Sequence, residues 1–136
     1  MKYPVKARTI LLCDYGMGGF RPPEMVKRRP VTVLIGSLPG RPNLHTVVPM
    51  SGTPSKPDCW YQCRLALPHP LPAPFSETEW WVKCDMVATV SIARLELFRT
   101  PRDQYGKRKY LNGSKVDGGQ FELVKHTVRA ALGLNN

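Results

Sequence analysis

Apolar positions along the chain come in short runs rather than long stripes. They fall at residues 9–14, 31–35, 45–50, 60–67, 80–84, 86–90 and 107–111, and the breaks between them hold most of the 14 prolines and 11 glycines. Runs of this length between turn residues predict strands joined into a compact antiparallel barrel or curled sheet rather than a helical bundle. The run Val31-Thr-Val-Leu-Ile35 reads as a strand buried on both faces. In residues 60–67, Gln62 and Arg64 alternate with Tyr61, Cys63 and Leu65, as expected of a strand with one wet face. The tail changes period: Phe121, Val124, Val128, Ala131 and Leu132 follow Asp117-Gly-Gly at helical spacing, and Gly133 is the natural stop. That apolar stripe predicts one amphipathic helix acting as a lid on the core. Residues 68–74 carry a proline at every second position, so they cannot enter a sheet interior and are expected as a stiff surface loop rather than a polyproline ligand. The fold class is mainly β with a C-terminal helix.

Length and charge narrow the function. The 136 residues fit a single domain, 1–136. Lys and Arg number 20 against 10 Asp and Glu, a formal net charge of +10, while 42% of residues are hydrophobic. A folded domain of that charge favours a polyanion: nucleic acid first, then an acidic protein, then a membrane surface. Residues 10–13 form the longest apolar run near the start and stop at Asp14, too short for a membrane helix or a signal peptide, so a cytoplasmic protein is expected. Cys13, Cys59, Cys63 and Cys84 lack CxxC spacing and read as buried or idle thiols. Cys59 and Cys63 with His45 or His69 are a weak alternative zinc set. No metal or cofactor is expected.

Gly16-Met-Gly-Gly19 is followed by neither a GKS/GKT motif nor a helix pattern, which argues against a phosphate-binding P-loop and for a flexible connection. No Ser or Cys stands in a nucleophile motif, and His45 and His126 read as structural or exposed. The densest polar chemistry lies at Glu24-Met-Val-Lys27-Arg28-Arg29-Pro30, a loop running into the buried strand at Val31. Pro30 fixes its own φ and biases Arg29 toward extended backbone, so the arginine is aimed by the strand. Met50-Ser51-Gly52-Thr53-Pro54 ends the third strand with two hydroxyls able to hold a phosphate oxygen. The segment 99–110 gathers five cations and two tyrosines, suited to a nucleic-acid backbone or simply to a solvated hairpin tip.

Taken in order, these pieces resemble the MazF/PemK family of toxin endoribonucleases from bacterial toxin–antitoxin modules. The resemblance is carried by the strand from Ile10 to Asp14, Gly18-Gly19, Glu24, Arg29-Pro30 with Val31 to Ile35, Val48-Pro49-Met50-Ser51, and Val82-Lys83-Cys84-Asp85-Met86-Val87-Ala88-Thr89. It covers about residues 8–98 plus the terminal helix. The resemblance implies an SH3-like barrel with a C-terminal helix, usually a homodimer, that cuts single-stranded RNA without a metal and is neutralised by a small acidic antitoxin.

It also implies roles. Arg29 stabilises the crowded phosphorane, Glu24 is the base, and Ser51 holds the scissile phosphate; Arg21, Lys27, Arg28, Thr53, Lys83 and Asp85 contact RNA, with Asp85 equally able to orient Arg29. RNA carries its own nucleophile, the 2′-hydroxyl, so a base, a positive charge and a proton donor suffice, giving 2′,3′-cyclic phosphate and 5′-OH ends. The chain departs from the family pattern in Ser51-Gly52-Thr53, where a Thr is usual, and in the extra cations Lys27 and Arg28, which would draw in RNA or lower the basicity of Glu24. The alternative is a non-cutting barrel that binds nucleic acid or a partner protein, including a gyrase-poison-like protein.

Overall fold

The computed structural model describes residues 1, 3–100, 104–107, 111 and 114–134. Seven strands and one α-helix follow in order: β1 (Ile10–Asp14), β2 (Arg28–Ile35), β3 (Leu44–Ser51), β4 (Gln62–Ala66), β5 (Glu79–Lys83), β6 (Ala88–Ser91), β7 (Leu95–Glu96) and α1 (Gly118–Ala131). The sheet order is β4-β5-β3-β2-β1-β7, and its paired strands are antiparallel. β3 is long enough to serve two partners on one edge: Leu44 to Val47 pair β6, whereas Met50 and Ser51 pair β5. The hydrogen-bonded path ends at β4 and β7, so the expected barrel is a curled sheet that does not close among the described residues.

Alternation along the strands sorts side chains onto two cores. Ile10 and Leu12, Val48 and Met50, Cys63 and Leu65, and Trp80 and Val82 form one face, which α1 covers with Phe121 and Val124. Leu11, Cys13, Val31, Val33 and Val47 form the other with Tyr15 and Leu95. Each fully buried Leu or Val contributes about 1.5–3 kcal/mol relative to exposure, so the two-period pattern is strongly selected.

The helix is the expected lid, and its ends are capped as its sequence requires. Asp117 Oδ1 accepts from Gly119 N–H at 2.9 Å. At the other end Gly133, with φ +73°, lets Leu134 N–H reach Arg129 C=O and its own N–H reach Ala130 C=O. Gln120 locks the helix to the sheet: its amide accepts from Ala66 N–H at 2.6 Å and donates to Ala66 C=O at 2.8 Å, replacing the missing neighbour of edge strand β4.

Three boundaries differ from the sequence reading. β2 begins at Arg28 rather than Val31, because β1 continues its pairing to Cys13↔Arg29 and Asp14↔Arg28. Arg29 is therefore on a strand, not a loop. Ser51 is likewise the last residue of β3, paired with Trp81, rather than the start of a turn. Trp60 and Tyr61 lie in a turn before β4. Residues 108–110 of the expected strand at 107–111, and residues 101–103 and 108–110 of the basic run 99–110, fall outside the described residues. Residues 68–74 form an irregular surface loop anchored by buried Leu71. No helix among the described residues is long and apolar enough to cross a membrane.

Candidate active site

Arg29 shares the face of Val31 and Val33, while Arg28, Pro30 and Thr32 take the other. The β2–β3 register runs Val33↔Val47, Thr32↔Val48, Val31↔Pro49. Carried two residues beyond the last paired position, that register lines Arg29 up with Ser51, and both line one pocket. Ser51 in turn pairs Trp81, and Trp81 pairs Arg64. One cross-strand row thus carries Arg29, Ser51, Trp81 and Arg64, with Lys83 one step along β5 from Trp81.

A pocket of about 160 Å³ opens on this row, lined by Glu24, Arg29, Ser51 and Lys83 together with Pro23, Met25 and Met86. Four residues separated by up to 59 positions in sequence thereby converge on one small polar site. Arg29 is half-buried, and its Nε is buried with no hydrogen-bond partner among the described residues. A buried guanidinium donor without an acceptor is costly unless an acceptor arrives. Ser51 is 9% exposed, and its Oγ accepts from Thr53 N–H at 3.2 Å, leaving the hydroxyl proton to be donated. Glu24 closes a turn on Arg21: its N–H donates to Arg21 C=O at 2.8 Å and its Oε1 accepts from Arg21 N–H at 3.1 Å. Lys83 ends β5, and Cys84 after it is buried, with its Sγ 3.9 Å from Val124 O and 4.0 Å from Cys63 Sγ. That inward anchor leaves the neighbouring Lys83 and Asp85 on the other side of the backbone.

The remaining candidates are placed less centrally. Asp85 is exposed and lines an adjoining pocket of about 230 Å³ with Tyr15, Phe20, Glu24, Met25 and Met86. Among the described residues no hydrogen bond or ion pair joins it to Arg29. Arg21 contributes backbone, Lys27 is exposed away from the pocket lining, and Thr53 contributes its N–H to Ser51. Arg28 is not brought to the pocket: it is ion-paired with Glu96 and lines a cleft on the opposite face with Leu12 and Phe98. Its strand position, one residue from Arg29, forces that separation.

Arg94 is a contributor that sequence reasoning missed. Its guanidinium donates to Asp14 C=O at 3.2 Å and to Gly18 C=O at 2.6 Å, and lies 4.9 Å from the centre of the Phe20 ring. The glycine loop is therefore pinned rather than a free connection. Gly19 has φ +88°, and a Cβ there would come within 3.1 Å of Arg94 Nη2, so glycine suits both the turn and the arginine. No local motif could have signalled contacts 76 and 80 residues apart.

Beneath the loop, burial pushes the Cys13 thiol up to about 12 and raises the Tyr15 phenol above its ordinary range, so both stay neutral. His45 is buried; its Nε2 accepts from Val5 N–H at 3.1 Å, which leaves Nδ1–H to donate to Leu44 C=O at 2.7 Å, a structural role. His126 is exposed on α1. Among the described residues no group of three or more His, Cys, Asp or Glu is placed to hold a metal ion, and the Cys59/Cys63/His set does not assemble.

No family model and no curated protein matches the chain in sequence. Solved structures do match. MazF from Deinococcus radiodurans (Form-I) aligns with a TM-score of 0.62 at 15% identity, over 97% of this chain and 99% of that one. An endoribonuclease in complex with its cognate antitoxin, from a Mycobacterial species, aligns at 0.60 and 16% over 96% of both chains. The Mycobacterium tuberculosis toxin MazF-mt6 aligns at 0.56 and 18%, over 93% of this chain and 98% of that one. Likeness across nearly the whole length of each gives this chain the fold of the MazF toxins.

Proposed function

We propose that the chain is a toxin of a toxin–antitoxin pair that cuts single-stranded RNA by intramolecular transesterification, without a metal. The observation that carries this reading is the convergence of Glu24, Arg29, Ser51 and Lys83 on one pocket. An acid, a hydroxyl and two cations in about 160 Å³ match the needs of a phosphodiester attacked by its own 2′-hydroxyl.

In this mechanism the Glu24 carboxylate takes the 2′-hydroxyl proton as the 2′-oxygen bonds to phosphorus. Arg29 and the Ser51 hydroxyl donate to the non-bridging oxygens, whose charge grows toward the phosphorane, so their hydrogen bonds strengthen in the transition state. The bond from phosphorus to the 5′-oxygen then breaks, and that oxygen takes a proton from the Lys83 ammonium or from water. Arg29 serves as a fixed charge rather than an acid, since guanidinium scarcely deprotonates. The +10 net charge supports an acidic antitoxin covering this surface, and a homodimer and a cytoplasmic setting accompany the reading. Support comes also from the fold shared with MazF toxins and with an endoribonuclease held by its cognate antitoxin.

The test is incubation of purified protein with mixed-sequence RNA in EDTA. Cutting is expected, and Arg29→Ala should slow it by about 10²-fold or more. Intact RNA, or an Arg29→Ala protein that cuts at the wild-type rate, contradicts the proposal.

A further inference from the structure

The row through Arg29 and Ser51 continues past the pocket. Trp81 stands beside Ser51 and Arg64 beside Trp81, while Lys83 pairs Gln62 in the next row. All lie on the face away from the core that α1 covers. Trp81 is half-buried, and Arg64 is exposed and ion-paired with Glu79. At the end of β4 nearest Lys83 come Trp60 and Tyr61, 65% and 37% exposed, their rings edge-to-face with centroids 5.5 Å apart. Tyr61 directly precedes Gln62, which pairs Lys83, so the aromatic pair lies at the Lys83 end of the site.

Exposed rings that adjoin one another, as Trp60 and Tyr61 do, are the kind of contiguous patch that marks an interaction site. Here they are interleaved with Arg64, Lys83 and Gln62 rather than with aliphatic side chains. That mixture suits a strand of nucleotides, whose bases stack on rings while its phosphates meet cations. It suits self-association through this face poorly, because a two-fold contact here would set Lys83 and Arg64 against their own copies. From Ser51 to Arg64 is two strand spacings, about 10 Å, or about three bases stacked at 3.4 Å.

We propose that the outer face of β4 and β5, with Trp81, Arg64, Gln62 and the Trp60–Tyr61 pair, is a stacking track holding the single-stranded nucleotides on one side of the phosphate in the pocket. The proposal rests on the RNA reading for its substrate but not on cleavage. It assigns Trp60 and Trp81 to base stacking and Arg64, released from Glu79, to a phosphate.

The test is fluorescence anisotropy with a labelled, mixed-sequence, 12-nucleotide RNA carrying 2′-O-methyl groups throughout, which can bind but cannot be cut. Trp60→Ala and Trp81→Ala should each weaken binding by about 5- to 10-fold, while Trp60→Phe should stay within about 2-fold because a ring remains. Arg64→Ala should reduce the salt dependence of log K by about one, and Trp60→Ala should leave it unchanged. Trp60 is exposed, so its variant carries the test if Trp81→Ala fails to fold. Wild-type affinity in Trp60→Ala overturns the track, as does a change from dimer to monomer with RNA affinity intact, which would make the face a self-association surface. Binding that depends on Trp60, in a protein that leaves unmodified RNA intact, upholds the track and refutes the nuclease instead.

Discussion

Arg94→Met tests whether the glycine loop is held as the geometry indicates. The substitution keeps the apolar stem and removes two hydrogen bonds, at 3.2 Å to Asp14 C=O and 2.6 Å to Gly18 C=O, with the guanidinium stacked 4.9 Å from Phe20. A hydrogen bond to a charged donor contributes about 1.5–3 kcal/mol. The partly buried bond to Asp14 is taken at the lower end of that range, and the exposed bond to Gly18 counts for less because water replaces it. The contact over Phe20 adds about 0.5 kcal/mol. The expected loss is about 2 kcal/mol, provided the loop stays part of the global unfolding unit. Urea denaturation measures that loss, and in a chain of this size it corresponds to a Tm lower by about 6–10 °C. Hydrogen exchange should quicken at Gly16 N–H, which donates to Asp14 Oδ1 at 2.8 Å. Because Phe20 and Glu24 line one pocket, RNA cutting should also slow. Arg94→Lys should recover less than half of the stability, since a point charge cannot span both carbonyls. Unchanged stability together with unchanged exchange around residues 14–20 would refute the reasoning.

Three further outcomes follow from particular contacts. Ser51→Ala should slow cutting by about 10²-fold while weakening binding far less, measured by kcat against the affinity for the 2′-O-methyl strand; equal losses would make Ser51 a binding residue only. Arg28→Met, whose side chain pairs with Glu96 on the far face, should keep cutting within about 3-fold of wild type, whereas Lys83→Met should lose at least about 10-fold. Asp117 has its carboxyl held below the usual 3.8 by Gln120 and then by Gly119 N–H. A depressed carboxyl stabilises the fold above the unfolded value and loses that contribution as pH falls through the folded one. Stability measured by urea from pH 5 to pH 2 should therefore drop more steeply for wild type than for Asp117→Asn.

The strand pattern was legible because strands packed on both faces, such as β1, read as continuous apolar runs, whereas β4, with one wet face, alternates. The helix was legible for the same reason, down to its Asp117 cap and Gly133 stop. Arg29 and Ser51 could be singled out by residue type and order, but their being opposite each other depends on register, which only the paired strands set. Arg28 read as an RNA contact near Glu24 because a loop leaves its direction open, whereas the strand that begins at Arg28 turns it and Arg29 to opposite faces. Arg94 carries no signal of its own, since its partners are carbonyl oxygens far along the chain. β7 is two residues long and exists through pairing with β1 alone, too short for any periodicity.

The central claim is that this pocket cuts RNA through the substrate's own 2′-hydroxyl. The most direct measurement maps a cleavage site in mixed-sequence RNA, then compares an oligonucleotide containing that site with one bearing a single 2′-O-methyl group on the nucleotide 5′ to the scissile phosphate. The account predicts 2′,3′-cyclic phosphate and 5′-hydroxyl ends from the first and no cutting of the second. Cutting of the methylated strand, or products ending in a 5′-phosphate, would contradict it.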